Sequence, residues 1–133
     1  MDNASSAYGI ARLFRERGYD RIGYIGPNPE YRFMHDVQDR NRGFLAGVRD
    51  FGLDLPEERY RFGGFTMESG HVCMSDLLAL PVRPRAVFAA NDEMALGALR
   101  ALKEKGLRVP DDVAVVGFDD ILVSSYVSPR LST

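Results

Sequence analysis

Apolar positions follow two rhythms along this 133-residue chain. Short runs rich in β-branched residues end in Gly, Asn or Asp, and longer stretches repeat apolar residues at three- and four-residue intervals before a Gly. The first rhythm predicts strands buried on both faces, the second amphipathic helices. A helix is expected to follow a cap at Asp2, Asn3 or Ser5, to bury Ile10, Leu13 and Phe14, and to end at Gly18. Ile22-Gly23-Tyr24-Ile25 reads as a buried strand, and Gly26 to Asp39, with its two prolines, as a loop. Phe44, Val48 and Phe51 mark a second helix closed by Gly52, and Tyr60-Arg61-Phe62 a weak strand. Cys73, Leu77 and Leu80 mark a third helix, stopped by Pro81 and Pro84. Ala86-Val87-Phe88-Ala89 predicts a strand, followed by a helix capped by Asn91 or Asp92 and carrying Ala95, Ala98, Leu99 and Leu102. Gly106 ends that helix, Val113-Ala114-Val115-Val116 forms the last strong strand, and the tail from Gly117 to Thr133 is turn-rich.

Strands alternating with helices predict an α/β fold: an open parallel sheet with helices on both faces and right-handed crossovers. Uninterrupted apolar strands agree, because burial on two sides leaves no polar face. Ligands of such sheets bind beyond the carboxyl ends of the strands, near the point where strand order reverses. Here those ends are Gly26 to Arg32, Gly63 to Phe65, Asn91-Asp92 and Gly117 to Asp120.

Composition narrows the function more than the fold. Hydrophobic residues at 45% and charged residues at 27% suit one globular domain. The net charge of −2 argues against nucleic acid being gripped by these residues. One cysteine, Cys73, fits a reducing compartment. Without a signal-peptide pattern or a bilayer-length apolar run, a cytoplasmic protein away from membranes is expected. His35 and His71 lack partners at ligand spacing, so no metal is expected. Gly23-Tyr24-Ile25-Gly26 is not a phosphate-binding loop, and no nucleophile–base constellation appears; neither a cofactor nor an enzymatic role is expected.

Several residues at the strand ends suit ligand binding, each with a plainer alternative. Asp119-Asp120 can hold a metal or share a proton, or cap a turn; Asp119 can also accept hydrogen bonds from sugar hydroxyls. Asn91 can cap a helix or present a donor and an acceptor to a polyhydroxylated ligand. Arg40 and Arg42, expected just ahead of the second helix, are either surface arginines or forks for hydroxyls or a carboxylate. Phe65, beside Gly63-Gly64, stacks on a sugar ring or plugs the core. Leu96 falls off the apolar face of its helix, and Cys73, Met74, Leu77, Leu78 and Leu80 cover more than one stripe. Both patterns point to a subunit interface.

Three stretches closely resemble the LacI/GalR family of transcription regulators: Val87-Phe88-Ala89-Ala90-Asn91-Asp92-Glu93-Met94-Ala95-Leu96-Gly97-Ala98, the run from Gly106 to Asp120, and the closing Pro129-Arg130-Leu131-Ser132-Thr133. The resemblance implies one lobe of a type I periplasmic-binding-protein-like fold, with flavodoxin-like strand order 2-1-3-4-5. It also implies effector contacts at Arg40, Asn91 and Asp119, an aromatic stacking on sugar at Phe65, and a dimer position at Leu96, with Val123 and Val127 in a further interface segment. Met74 and Leu78 join that expected interface. The implied partners are a small-molecule effector, a second copy of the chain, and operator DNA reached only through a helix-turn-helix head. Neither that head nor the second wall of the cleft is recognised in this sequence. Residues 1–19 are therefore expected to be a helix of the other subdomain, packing on a neighbouring copy or in an altered position, with 20–133 as the lobe itself. A lobe alone is expected to bind sugar weakly.

Two rival functions are weaker. A solute-binding lobe of a sugar transporter shares the Asn91 segment but fits poorly with the absent signal peptide and the Gly117-to-Asp120 and Leu131-Ser132-Thr133 endings. A phosphoacceptor receiver domain with Asp92 as acceptor needs an acidic pair after the first strand and a Lys after the last. Gly26-Pro27-Asn28-Pro29 and Phe118-Asp119-Asp120 stand there instead.

Overall fold

The computed structural model describes residues 3–28 and 35–118. The order of elements is α1 (Asn3–Glu16), β1 (Ile22–Pro27), α2 (His35–Asp50), β2 (Tyr60–Gly63), α3 (Met67–Leu78), β3 (Ala86–Ala89), α4 (Asp92–Glu104) and β4 (Ala114–Gly117). A 3-10 turn, Glu57–Arg59, leads into β2. Every strand pairing is parallel, in the order β2-β1-β3-β4, which matches the first four places of the expected arrangement. Order reverses between β1 and β3, so the crevice beyond their carboxyl ends is the favoured place for a ligand.

Side chains alternate across β1 and thereby assign the helices to faces. Tyr24 meets Phe44 of α2, with ring centroids 4.7 Å apart. Gly23 turns its open side to Leu77 of α3 and to Pro84. The pair α1 and α2 thus covers one face of the sheet, and α3 and α4 cover the other. β1, β3 and β4 are buried along their whole length, as the uninterrupted apolar runs require.

Three sequence expectations change. First, α2 begins at His35, inside the expected loop, so Arg40 and Arg42 lie within the helix rather than ahead of it. Its opening turns are almost wholly polar (Gln38-Asp39-Arg40-Asn41-Arg42), and only Val37, 4% exposed, reaches the core before Phe44. Second, α1 is docked within this core. Ala7, Ala11 and Phe14 are fully buried, with Ile10 and Leu13 on the flanks of the stripe. Gly43 of α2 lies so close to the Ala4 backbone that any side chain there would collide with it, and Phe14 meets Phe44 edge-on at 6.3 Å. Tyr8 adds a hydrogen bond from its hydroxyl to Asp50 Oδ2 at 2.8 Å. The partner of α1 is therefore α2 of the same chain, and a boundary at residue 19 divides no core. Third, Met74 and Leu78 are buried, at 0% and 5% exposed, and are not available to a second copy. Helix α3 has an unusually wide apolar surface because it packs on α4 as well as on the sheet. Gly70 and Gly97 allow that close approach, since a side chain at Gly97 would strike the Met67 carbonyl.

Candidate functional site

The carboxyl edge of the sheet is knit together by side chains reaching to backbone. Arg40, on α2, donates from Nη1 to the carbonyl of Ala90, the residue after β3, at 2.9 Å. Its guanidinium lies over the ring of Phe118, just past β4, with Cζ 4.4 Å from the centroid, a cation–π contact. Arg40 Nε is buried without a hydrogen-bond partner among the described residues. A buried donor on a charged group is costly to leave unmatched, so this atom is an unsatisfied polar position of the edge.

Asn91 serves two structural ends at once. Its Oδ1 accepts from the Met94 N–H at 2.9 Å and caps α4, while its Nδ2 donates to the Phe65 carbonyl at 3.1 Å. That second bond holds a strained residue: Phe65 has φ of +65°, a conformation usually left to glycine. The Phe65 ring is half-buried against the core, between the two readings its sequence position allowed. Thr66 then caps α3 reciprocally with Ser69. Arg40, Ala90, Asn91 and Phe65 thus form one connected edge. Arg42 points elsewhere and is an exposed partner of Asp39. Asp119, Val123 and Val127 lie outside the described residues. Leu96 is half-buried on α4, and Met67 at the start of α3 is exposed, its backbone close to Gly97.

Beneath Arg40 lies a polar cluster that residue-type reasoning missed. Asn41 Oδ1 accepts from the hydroxyls of both Tyr24, at 3.0 Å, and Tyr60, at 2.8 Å. Burial pushes the Tyr24 hydroxyl well above its ordinary pKa, aided by the neighbouring Tyr60 and opposed by Arg40. Burial likewise pushes Tyr60 up to about 12, against the hydrogen bond to Asn41. Both stay protonated donors at neutral pH and fix the helical turn that carries Arg40. One signal was available: a tyrosine in an otherwise apolar buried strand must find a partner for its hydroxyl. A second omission is Arg59, a charged residue only 3% exposed. It donates to the carbonyl of Ile22 at 2.9 Å and pairs with Asp54 at 2.7 Å, securing the opposite end of the sheet.

Residues 11–133 match the family model of a periplasmic binding protein-like domain. The chain is 37% identical to the HTH-type transcriptional repressor CytR of Escherichia coli K12 over 133 residues, all of this chain and 38% of that protein. This chain belongs to the LacI/GalR family. A Bacillus subtilis relative, named as a probable HTH-type transcriptional repressor, ExuR, is 50% identical over 96 residues, 72% of this chain and 29% of that one. The chain thus spans between 29% and 38% of the length of these LacI/GalR relatives. Among solved structures, the regulator CelR in complex with cellobiose aligns with a TM-score of 0.86 and 35% identity over 98% of this chain and 39% of that one. A LacI-family sugar-binding regulator from Escherichia coli, complexed with phosphate, aligns with a TM-score of 0.84 and 30% identity over 98% of this chain and 46% of that one. The sheet and its helices are those of the LacI/GalR effector-binding fold. Among the described residues no helix is long and apolar enough to cross a membrane, and no group of His, Cys, Asp or Glu is placed to hold a metal ion.

Proposed function

We propose that this chain supplies one wall of the effector cleft of a LacI/GalR transcription regulator, and that it acts by binding rather than catalysis. The observation that carries the reading is Arg40. It is anchored to Ala90, backed by Phe118 and supported from below by Asn41, yet its buried Nε has no partner among the described residues. A hydroxyl or carboxylate of a sugar-like effector would accept from the half-buried Arg40 guanidinium, with Nε reached once the edge adjusts around the ligand. The half-buried Phe65 ring offers an apolar face for the ring of such a molecule, and Asp119 an acceptor for its hydroxyls. Asn91 takes a narrower role than an open ligand contact, because both ends of its amide are already engaged. It shapes the site by holding the Phe65 turn.

In a complete regulator, an effector that prefers one arrangement of the two lobes shifts their population and so the fit of paired DNA-binding heads to an operator. Operator DNA would be bound by such heads and not by this lobe. Pairing of two copies is proposed through Leu96, which is half-buried on α4. Titration of the chain with a saccharide panel, wild type against Arg40→Ala, tests the reading. Binding that the substitution abolishes supports it, and binding indifferent to Arg40 contradicts it.

A further inference from the structure

The amino edge of the sheet, opposite the proposed effector site, carries a second set of guanidinium groups. Arg21 leads into β1, while Arg83 and Arg85 lead into the neighbouring β3. Backbone bonding ties the two approaches together, with Arg85 N–H donating to the Arg21 carbonyl at 2.8 Å. Two of the side chains are held by their inner nitrogens and the third by an outer one. Arg21 Nε donates to the Arg83 carbonyl at 2.8 Å, and Arg83 Nε to the Leu78 carbonyl at 3.3 Å. Arg85 reaches the Asp111 carbonyl through Nη2 at 3.4 Å. Among the described residues, none of the three pairs with a carboxylate. All three line one cavity of about 210 Å³.

The carboxylates nearby are already committed. Arg108 lies 3.8 Å from Asp111 Oδ2 and 3.5 Å from Asp112 Oδ2. The backbone N–H of Arg108 also donates to Asp112 at 2.7 Å, and these bonds hold the Asp112 carboxyl below its usual range. Asp54, beside Arg21 in the sheet, is taken by Arg59. Arg108 thus engages both aspartates of the cavity and Arg85 adds its charge near Asp112, so the four guanidiniums of Arg21, Arg83, Arg85 and Arg108 exceed the two carboxylates by two positive charges. Arg21 and Arg83, pinned at the inner nitrogen, present their outer N–H groups in fixed directions, the geometry that suits planar or tetrahedral oxyanions, and Arg85 adds its remaining N–H groups. The volume is below the roughly 300 Å³ at which pockets for drug-sized molecules begin.

We propose that Arg21, Arg83 and Arg85 form a binding site for a small oxyanion, inorganic phosphate or a phosphate monoester, on the edge of the lobe away from the proposed effector site. Its occupancy does not depend on the effector reading. The test is calorimetric titration with inorganic phosphate, and in parallel with glycerol 3-phosphate, against sodium chloride at equal ionic strength. A dissociation constant of about millimolar order is expected, weakened about tenfold or more in Arg83→Gln/Arg85→Gln. Both positions are exposed, so an unchanged melting temperature in chloride establishes that the double variant is folded. The charge-preserving pair Arg83→Lys/Arg85→Lys is expected to bind at an intermediate level. A tighter response to glycerol 3-phosphate identifies an organic phosphate as the ligand class, and an equal or weaker one identifies the free ion. Heats equal to those of chloride, binding unchanged in the double glutamine variant, or binding lost instead in Arg40→Ala would each overturn the proposal.

Discussion

The Asn91 amide joins the cap of one helix to the turn before another: Oδ1 accepts from Met94 N–H, and Nδ2 donates to the Phe65 carbonyl 26 residues earlier in the chain. The two bonds are separable by mutation. Asn91→Ala removes both and is expected to destabilise the chain by about 1.5–3 kcal/mol. Asn91→Ser keeps the cap but is too short to reach Phe65, and is expected to recover about 1 kcal/mol of that loss. Urea denaturation of the two variants checks this. Equal stabilities would mean that the Phe65 bond carries the whole effect.

Alkaline pH tests the cluster beneath Arg40. Tyrosine is neutral when protonated, so burial makes the folded chain hold its hydroxyl protons to higher pH than the unfolded chain does. The stability from Tyr60 should be complete below its unfolded pKa of about 10 and lost as pH climbs to about 12, with Tyr24 adding a loss in the same direction. Denaturation midpoints between pH 9 and pH 12, on the order of this window, should fall more steeply in wild type than in Tyr24→Phe/Tyr60→Phe. Parallel curves would show that other groups dominate.

Self-association through α4 makes a third expectation. Leu96→Glu should convert a dimer to a monomer in light scattering, because a carboxylate cannot be buried unpaired at a close-packed interface. A variant that stays dimeric would remove Leu96 from the interface.

The sheet was legible because its strands are buried on both faces and announce themselves as apolar runs, and Asn91 because a capping residue sits at a fixed place between strand and helix. The start of α2 was hidden by polar residues that do not reach the core. The docking of α1 was hidden for a different reason: its closest contact depends on Gly43, and a glycine that admits a neighbouring backbone leaves no hydrophobic signal. Met74 and Leu78 were assigned outward because a helix packed on two elements has a wider apolar surface than a one-sided stripe. The roles of Asn41 and Arg59 depend on distant groups, Tyr24 and Tyr60 for one and the Ile22 carbonyl for the other, that no local pattern pairs with them. Arg40 was visible as a candidate, but its anchorage to Ala90 and Phe118 is a product of the fold.

The most direct test of the effector-wall reading is backbone chemical-shift mapping of the chain titrated with mono- and disaccharides. Weak, roughly millimolar binding is expected, with perturbations centred on Arg40, Phe65, Ala90, Asn91 and Phe118 and weakened about tenfold or more by Arg40→Ala. Micromolar affinity would contradict the expectation that this lobe forms only one side of the site. Perturbations confined to other surfaces, or an absence of perturbation at the strand ends across the panel, would contradict the assignment of the site itself.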